Sequence, residues 1–135
     1  MSGEKPTMGR LAAIVASGGV ETMAAVIRDC SVRARQGMQV RVLFRDESIP
    51  MVCVPDARRR ILAPSVAAEI DANRDLQAGL EELRQSGDVE LYACTSSMYV
   101  WGITDADLGP AISGGRGLIA FLADHLAGAV LVVTY

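Results

Sequence analysis

The sequence predicts an α/β fold, a three-layer α/β/α sandwich around a mostly parallel, five-stranded sheet. Three observations carry that expectation. Short apolar runs alternate along the chain with segments of helical periodicity. The first of them, Leu11 to Ser17, is continuous rather than alternating, as a strand buried on both faces requires. The chain has 135 residues, enough for one such core. Half of those residues are hydrophobic, yet only 2 Phe, 3 Tyr and 1 Trp are present, so the core must be built from Val, Ile, Leu, Ala and Met.

Residues 1–9 read as a disordered tail and 10–135 as a single domain. After the opening strand, Gly18-Gly19 stops the run, and Val20, Met23, Ala24, Ile27, Cys30, Ser31 and Ala34 recur at helical spacing up to Gly37. Val40, Val42 and Phe44 mark a second strand. Ile49 to Val54, bounded by Pro50 and Pro55, reads as a third strand at a sheet edge. Arg58-Arg59-Arg60 follows a Pro-Asp turn and reads as a solvated loop or a local anion contact. Pro64 opens a helical stretch to Ser86, marked by Val66, Ile70, Leu76, Leu80 and Leu83 and stopped by Gly87. Val89 to Cys94 is a strand. Thr95, Ser96 or Ser97 caps a short helix to Trp101, with Gly102 as its stop. Thr104 to Leu108 is a single turn. Ser113-Gly114-Gly115 opens a last helix, Arg116 to Leu126, and Val130 to Thr134 closes the chain as a strand.

Composition excludes several classes. A net charge of −3 argues against nucleic acid as a partner. No apolar run is long enough for a membrane helix, and the polar start lacks a signal peptide's apolar segment, so a cytoplasmic protein is expected. Three cysteines cannot close into a full disulfide framework. The three cysteines and one histidine are too scattered for a zinc site. Neither a GxGxxG nor a P-loop pattern occurs, so no cofactor and no metal are expected.

In a parallel sheet with right-handed crossovers, every strand-to-helix turn lies along one edge, where ligands bind. Ser17-Gly18-Gly19, the turn at Arg45, and Cys94-Thr95-Ser96-Ser97 are expected to meet there. Gly114 and Gly115 reach the same edge, and Met98 and Trp101 stand near it, at a pocket mouth, at an interface or in the core. Cys94 is the candidate reactive group. It ends a strand and precedes a helix start, whose unpaired amides and macrodipole favour a thiolate or a persulfide anion. That role requires the thiol to be exposed at the rim. Cys30, on the apolar stripe of its helix, and Cys53, within Met-Val-Cys-Val-Pro, read as packing residues. His125, beside Asp124 in the last helical turn, reads as a surface residue and not as a base. No second cysteine stands nearby as a Cys-x-x-Cys partner, which favours holding one sulfur over closing a disulfide.

The segment Glu90-Leu-Tyr-Ala-Cys-Thr-Ser-Ser-Met-Tyr-Val-Trp-Gly102 resembles that of the DsrE/DsrF-like family, whose pattern is Val-x-Leu-x-Ala-Cys-x-x-Ser-Met-x-x-x-Gly. Ala93, Cys94, Ser97, Met98 and Gly102 match it. The Ser-Gly turn after the first strand, the stretch Gly37 to Phe44 and the Gly-Gly pair before the last helix are similar as well. Arg45-Asp46-Glu47 departs from the Thr-Phe common at that turn. The resemblance implies a sulfur relay: Cys94 accepts sulfane sulfur as a persulfide and exchanges it with a TusA-like or DsrC-like carrier protein. It also implies a homo-oligomer, as a trimer, dimer or hexamer. The last helix, apolar nearly all round, agrees with burial on more than one side. Two other readings stand beside this one. One is a non-catalytic small-molecule-binding or assembly module of the same fold; the other is a thiol redox protein, disfavoured by the lack of a nearby resolving cysteine.

Overall fold

Strands β1 (Arg10–Val15), β2 (Gln39–Phe44), β3 (Val89–Cys94), β4 (Gly114–Arg116) and β5 (Leu131–Thr134) form one sheet in the order β4-β3-β2-β1-β5. Each of these pairings is parallel. The computed structural model describes residues 9–73 and 75–135; of the tail expected over residues 1–9, residues 1–8 lie outside them. Gly9 is fixed to the sheet, since its carbonyl accepts the Gln39 N–H at 3.0 Å.

Alternation along the strands gives the sheet two unlike faces. One face carries Leu11, Ala13 and Val15, then Val40, Val42 and Phe44, then Val89, Leu91 and Ala93. It packs against helices α1 (Val20–Arg35) and α4 (Asp75–Gln85), which bury Met23, Val26, Cys30, Leu76, Leu80 and Leu83. Each fully buried Leu or Phe side chain here contributes roughly 1.5–3 kcal/mol. The other face carries Ala12, Leu43 and Cys94, packed with Phe121. Its cover is slight: helix α6 (Leu118–Phe121) runs straight into a single π-helical turn, Leu122–Leu126. Arg41 shares this face, is buried, and pairs with Asp88 at 3.0 Å and Glu90 at 3.1 Å.

The expected fold class holds, with corrections in three places. Ile49 to Val54 is no strand: a 3₁₀ helix runs over Asp46–Val52, because Pro50 supplies no donor for a ladder. Cys53 alone makes an isolated antiparallel bridge, to Leu108. The fifth strand is instead β4, Gly114–Arg116, so Arg116 belongs to the sheet and not to the last helix. The basic run is no solvated loop. It lies on α2 (Pro55–Ile61), which Pro55 starts, and Arg58 is only 2% exposed. Its guanidinium donates to the Pro50 and Cys53 carbonyls at 3.0 and 2.9 Å and to Asp71 Oδ1 at 2.6 Å. A buried cation bonded through each of its three nitrogens ties the 3₁₀ segment to α3 (Pro64–Asp71).

Replacing Arg58 by Leu therefore removes the shorter bond to each of three acceptors, leaving the Pro50 carbonyl to the Cys53 N–H at 3.4 Å, the Cys53 carbonyl to Gln77 at 3.3 Å and Asp71 to Arg59 at 3.2 Å. We expect a loss of about 3–5 kcal/mol in urea unfolding. Arg59→Leu, whose exposed guanidinium pairs with Asp56 and with the other oxygen of Asp71, changes stability by less than about 1 kcal/mol. Similar losses for the two variants contradict the assignment of Arg58 as the internal tie.

Candidate functional site

Pairing of Val15 with Phe44, and of Phe44 with Ala93, sets the ends of β1, β2 and β3 in one row. The turns that follow therefore converge, as the sequence predicts. Gly18 lies so close to the second turn that a Cβ on it would stand 2.5 Å from the Glu47 carbonyl oxygen. The Ser48 hydroxyl reaches both the Val15 and the Arg45 carbonyl oxygens at 2.7 Å. Asp46 takes φ +51°, and is the one positive-φ residue other than glycine among the described residues. Such a backbone is disfavoured by roughly 1–2 kcal/mol for an L-residue. Helix α5 (Thr95–Trp101) clamps it. The Asp46 N–H donates to Ser97 Oγ at 3.0 Å, and Trp101 Nε1 donates to the Asp46 carbonyl at 2.9 Å. Gly115 of β4 lies beneath α5, where a Cβ would meet Thr95 Cγ2 at 2.9 Å and Met98 Sδ at 3.3 Å.

Cys94 is the residue that caps α5, and Gly102, with φ 70°, ends it. Contrary to the exposed thiol expected from the sequence, the Cys94 residue is 0% exposed. Its strand position turns the side chain to the thinly covered face, among Ala12, Leu43 and Phe121, with Tyr92 and Leu118 packed alongside. The sulfur's hydrogen-bond contact is the Ser96 hydroxyl at 3.3 Å. Burial pushes the thiol up, but hydrogen bonding from the hydroxyls and amides of Ser96 and Ser97 outweighs it and brings it below its ordinary value. Because α5 has only 7 residues, these donors and not a long helix dipole account for the effect.

The other thiols lack such donors. Burial, then Asp29, pushes Cys30 up to about 12. Burial raises Cys53 to about 11, against a partial offset from Arg58, and its sulfur donates to the Ile49 carbonyl at 3.3 Å. Both were read as packing residues, and both are buried.

The remaining candidates divide. Ser96 and Ser97 adjoin Cys94, and Gly114 and Gly115 run beside its strand, with Met98 against Gly115. Arg45 is half-buried and pairs with Asp46 at 3.4 Å. Ser17 is exposed and only its N–H is engaged, by the Tyr135 carbonyl at 3.3 Å. Thr95 is exposed. Met98 is in the core, whereas Trp101 lines a cleft of about 400 Å³ together with Gly18, Gly19, Glu47 and Met51. Among the described residues no group of His, Cys, Asp and Glu converges as a metal site, and no helix is long and apolar enough to cross a membrane.

Two neighbours of the site carry no mark in the sequence, and a third stands elsewhere than expected. Asp46 gives no local signal, since nothing in Arg-Asp-Glu announces a positive φ. Phe121 covers the sulfur's cluster, but an all-round apolar helix does not say which residue points inward. His125, expected on the surface, is half-buried instead. It stacks on Tyr92 at 5.8 Å and tilts against Phe121 at 5.3 Å between ring centroids. Neither of its buried ring nitrogens has a hydrogen-bond partner among the described residues. The Arg10 guanidinium donates to the Asp124 and His125 carbonyls at 3.1 and 3.4 Å, and Arg116 pairs with Asp124. These contacts hold the π turn onto the sheet.

The family pattern described as DsrE/DsrF-like matches residues 31–132. Among solved structures, the fold is similar to the ychN protein from E. coli, with a TM-score of 0.63 and 21% identity over 93% of this chain and 99% of that one. It is similar also to MTH1491 from Methanobacterium thermoautotrophicum, a protein of unknown function, with a TM-score of 0.64 and 13% identity over 93% and 98%. At these identities the likeness shows the fold alone. No curated protein matches the sequence.

Burial, then the charges of Arg116, Arg41 and Arg10, lowers the His125 pKa from 6.5. The folded chain thus keeps this imidazole neutral, and its contribution is fully present above about 6.5 and lost as the pH falls through the folded value. Unfolding midpoints measured between pH 7 and pH 5 are expected to fall, and His125→Phe, which keeps an aromatic ring on Tyr92, is expected to remove that part of the slope. An unchanged slope in this variant rules His125 out as the source.

Proposed function

Because this chain belongs to the DsrE/DsrF-like family, we propose that it holds sulfane sulfur as a persulfide on Cys94 and passes it to a partner carrier protein. The family is associated with sulfur relay. The observation that carries the reading is the contrast between three buried thiols: two are raised to about 12 and about 11, and Cys94 alone is lowered. A thiolate is the nucleophile in sulfur exchange. It attacks the outer sulfur of a carrier's persulfide, the carrier's S–S bond breaks, and the carrier leaves as its own thiolate. No electrons are gained or lost overall. The donors on Ser96 and Ser97 that favour the Cys94 thiolate also favour the terminal anion of its persulfide.

Access requires the cover formed by Leu118–Leu126 to lift, as it packs Phe121 onto the sulfur's cluster. A docking protein has apolar ground beside it: Tyr99, Val100 and Ile119 are 86%, 83% and 83% exposed. That ground suits either a TusA-like or DsrC-like carrier or a second copy of the chain, the latter in a dimer, trimer or hexamer. The reading places the protein in the cytoplasm, where unpaired cysteines persist.

The cleft beside Trp101 favours a second reading, a module that binds a small molecule at the strand ends with Cys94 only packed. Treatment with polysulfide followed by mass spectrometry separates the two. The relay reading expects a gain of about 32 Da, one sulfur, on the Cys94 peptide and none in Cys94→Ser. Equal loading of Cys94→Ser, or no loading of the native chain, removes the relay reading. Cys30 and Cys53 are expected to stay unmodified at neutral pH.

A further inference from the structure

Resting on the reading of Cys94 as the sulfur-holding thiol, we propose that His125 is an acid-sensitive latch on its cover: the neutral imidazole closes α6 and the π turn over Cys94, and its protonation releases them. The latch is a group of three rings. His125 stacks on Tyr92 of β3 at 5.8 Å, with 16° between the planes, and tilts against Phe121 of α6 at 5.3 Å. Tyr92 in turn meets Phe121 edge-on at 6.5 Å. Phe121 is fully buried and shares its apolar cluster with Cys94, Ala12 and Leu43. The imidazole is therefore packed into the group that roofs the sulfur. Aromatic pairs of this kind contribute roughly 0.5–1.5 kcal/mol each beyond the area they bury.

Nothing around the ring is ready for a second proton. Both nitrogens are buried without a hydrogen-bond partner among the described residues. A neutral imidazole leaves one N–H unmet there; a protonated one leaves two and adds a charge. The charged groups that face it come from four strands and from the turn itself. Arg10 on β1, Arg41 on β2 and Arg116 on β4 oppose a positive charge, and Glu90 on β3 favours one. Glu90, however, already pairs with Arg41 at 3.1 Å and accepts the Tyr92 hydroxyl. Asp88, just before β3, pairs with Arg41 at 3.0 Å, and Asp124 on the turn pairs with Arg116. Arg10 donates to the Asp124 and His125 carbonyls at 3.1 and 3.4 Å, which holds its charge at the turn. Cys94, on the same strand as Tyr92, has its hydrogen-bond contact with Ser96 and not with the ring. Each of these carboxylates is matched to a guanidinium, and none is left for an imidazolium. The lowered pKa of His125 agrees with that arrangement. Closure is thus favoured above about 6.5 and loses this support as the pH falls through the closed-state value. The cover packs on the sheet outside the layer of α1 and α4, so it opens without them.

Labelling of the whole chain with dithiodipyridine, a disulfide reagent that stays reactive in acid, tests the latch, with each cysteine read separately by mass spectrometry. The native chain and His125→Phe, which keeps a ring on Tyr92, are compared at each pH, so that the reagent's own pH dependence cancels. The ratio of their Cys94 labelling rates is expected to rise by up to about tenfold between pH 7 and pH 5. Cys30 and Cys53, buried in the main core, are expected to stay unlabelled, which marks the opening as local. The chain has 1 histidine, so its imidazole proton resonances report the titration in the native protein and need no variant. Cys94 labelling that rises with that titration supports the latch. A ratio that does not change with pH overturns it, as does labelling of all three cysteines together, or an imidazole that titrates while Cys94 labelling stays flat. Polysulfide that never loads Cys94, in a chain whose labelling follows the histidine, strikes the persulfide reading and leaves the latch in place.

Discussion

Parallel pairing in matched register is the constraint on which the site depends. Val15, Phe44 and Ala93 stand side by side, so three strands release the chain at one level. Only then can the turn after β2 be gripped from the β1 side by Ser48 and from α5 by Ser97 and Trp101. Register also decides which face receives the sulfur. Strand side chains alternate, so a slip of one residue in β3 would send Cys94 into the layer packed by α1 and α4. There it would share the surroundings of Cys30, whose thiol burial pushes far up.

Burial and ionisation are opposed at Cys94, and the balance differs from that at the other two thiols for a local reason. All three are enclosed by apolar side chains. Cys30 sits inside a helix whose amides are committed to carbonyls. Cys53 meets a carbonyl, which gives it an acceptor and no donor. Cys94 ends a strand at the point where a helix begins, so the first amides and hydroxyls beyond it have no prior partners. A donor-rich spot in dry surroundings is worth more to an anion than the same donors in water.

Much of this was legible in the sequence because long elements announce themselves by period. The strands ending at Phe44 and Cys94, the helix from Val20, and Leu76, Leu80 and Leu83 on one buried stripe follow from apolar spacing alone. The parallel sheet and the meeting of the turns follow from their order. What escaped was set by tertiary context. β4 has two glycines in three residues and so no pattern to read. Arg58 looks like solvent-facing charge until Asp71 and two carbonyls of the preceding turn close around it. Arg45-Asp46-Glu47 carries no mark of the backbone inversion at its centre. The burial of Cys94 depends on Phe121, which a uniformly apolar segment does not single out.

The two faces of the sheet are unequally dressed, and this separates two rates that coincide in evenly packed domains. Amides of β1, β2 and β3 are shielded on one side by helices of 16 and 11 residues, so their hydrogens exchange chiefly through global unfolding. The opposite side is closed by a helix of 4 residues and a turn of 5, whose release disturbs little else. In the relay reading, release of that flap, and not unfolding of the whole domain, is what uncovers the sulfur. Changes confined to the flap can therefore tune the thiol's encounter frequency while the melting behaviour of the sheet stays where it is.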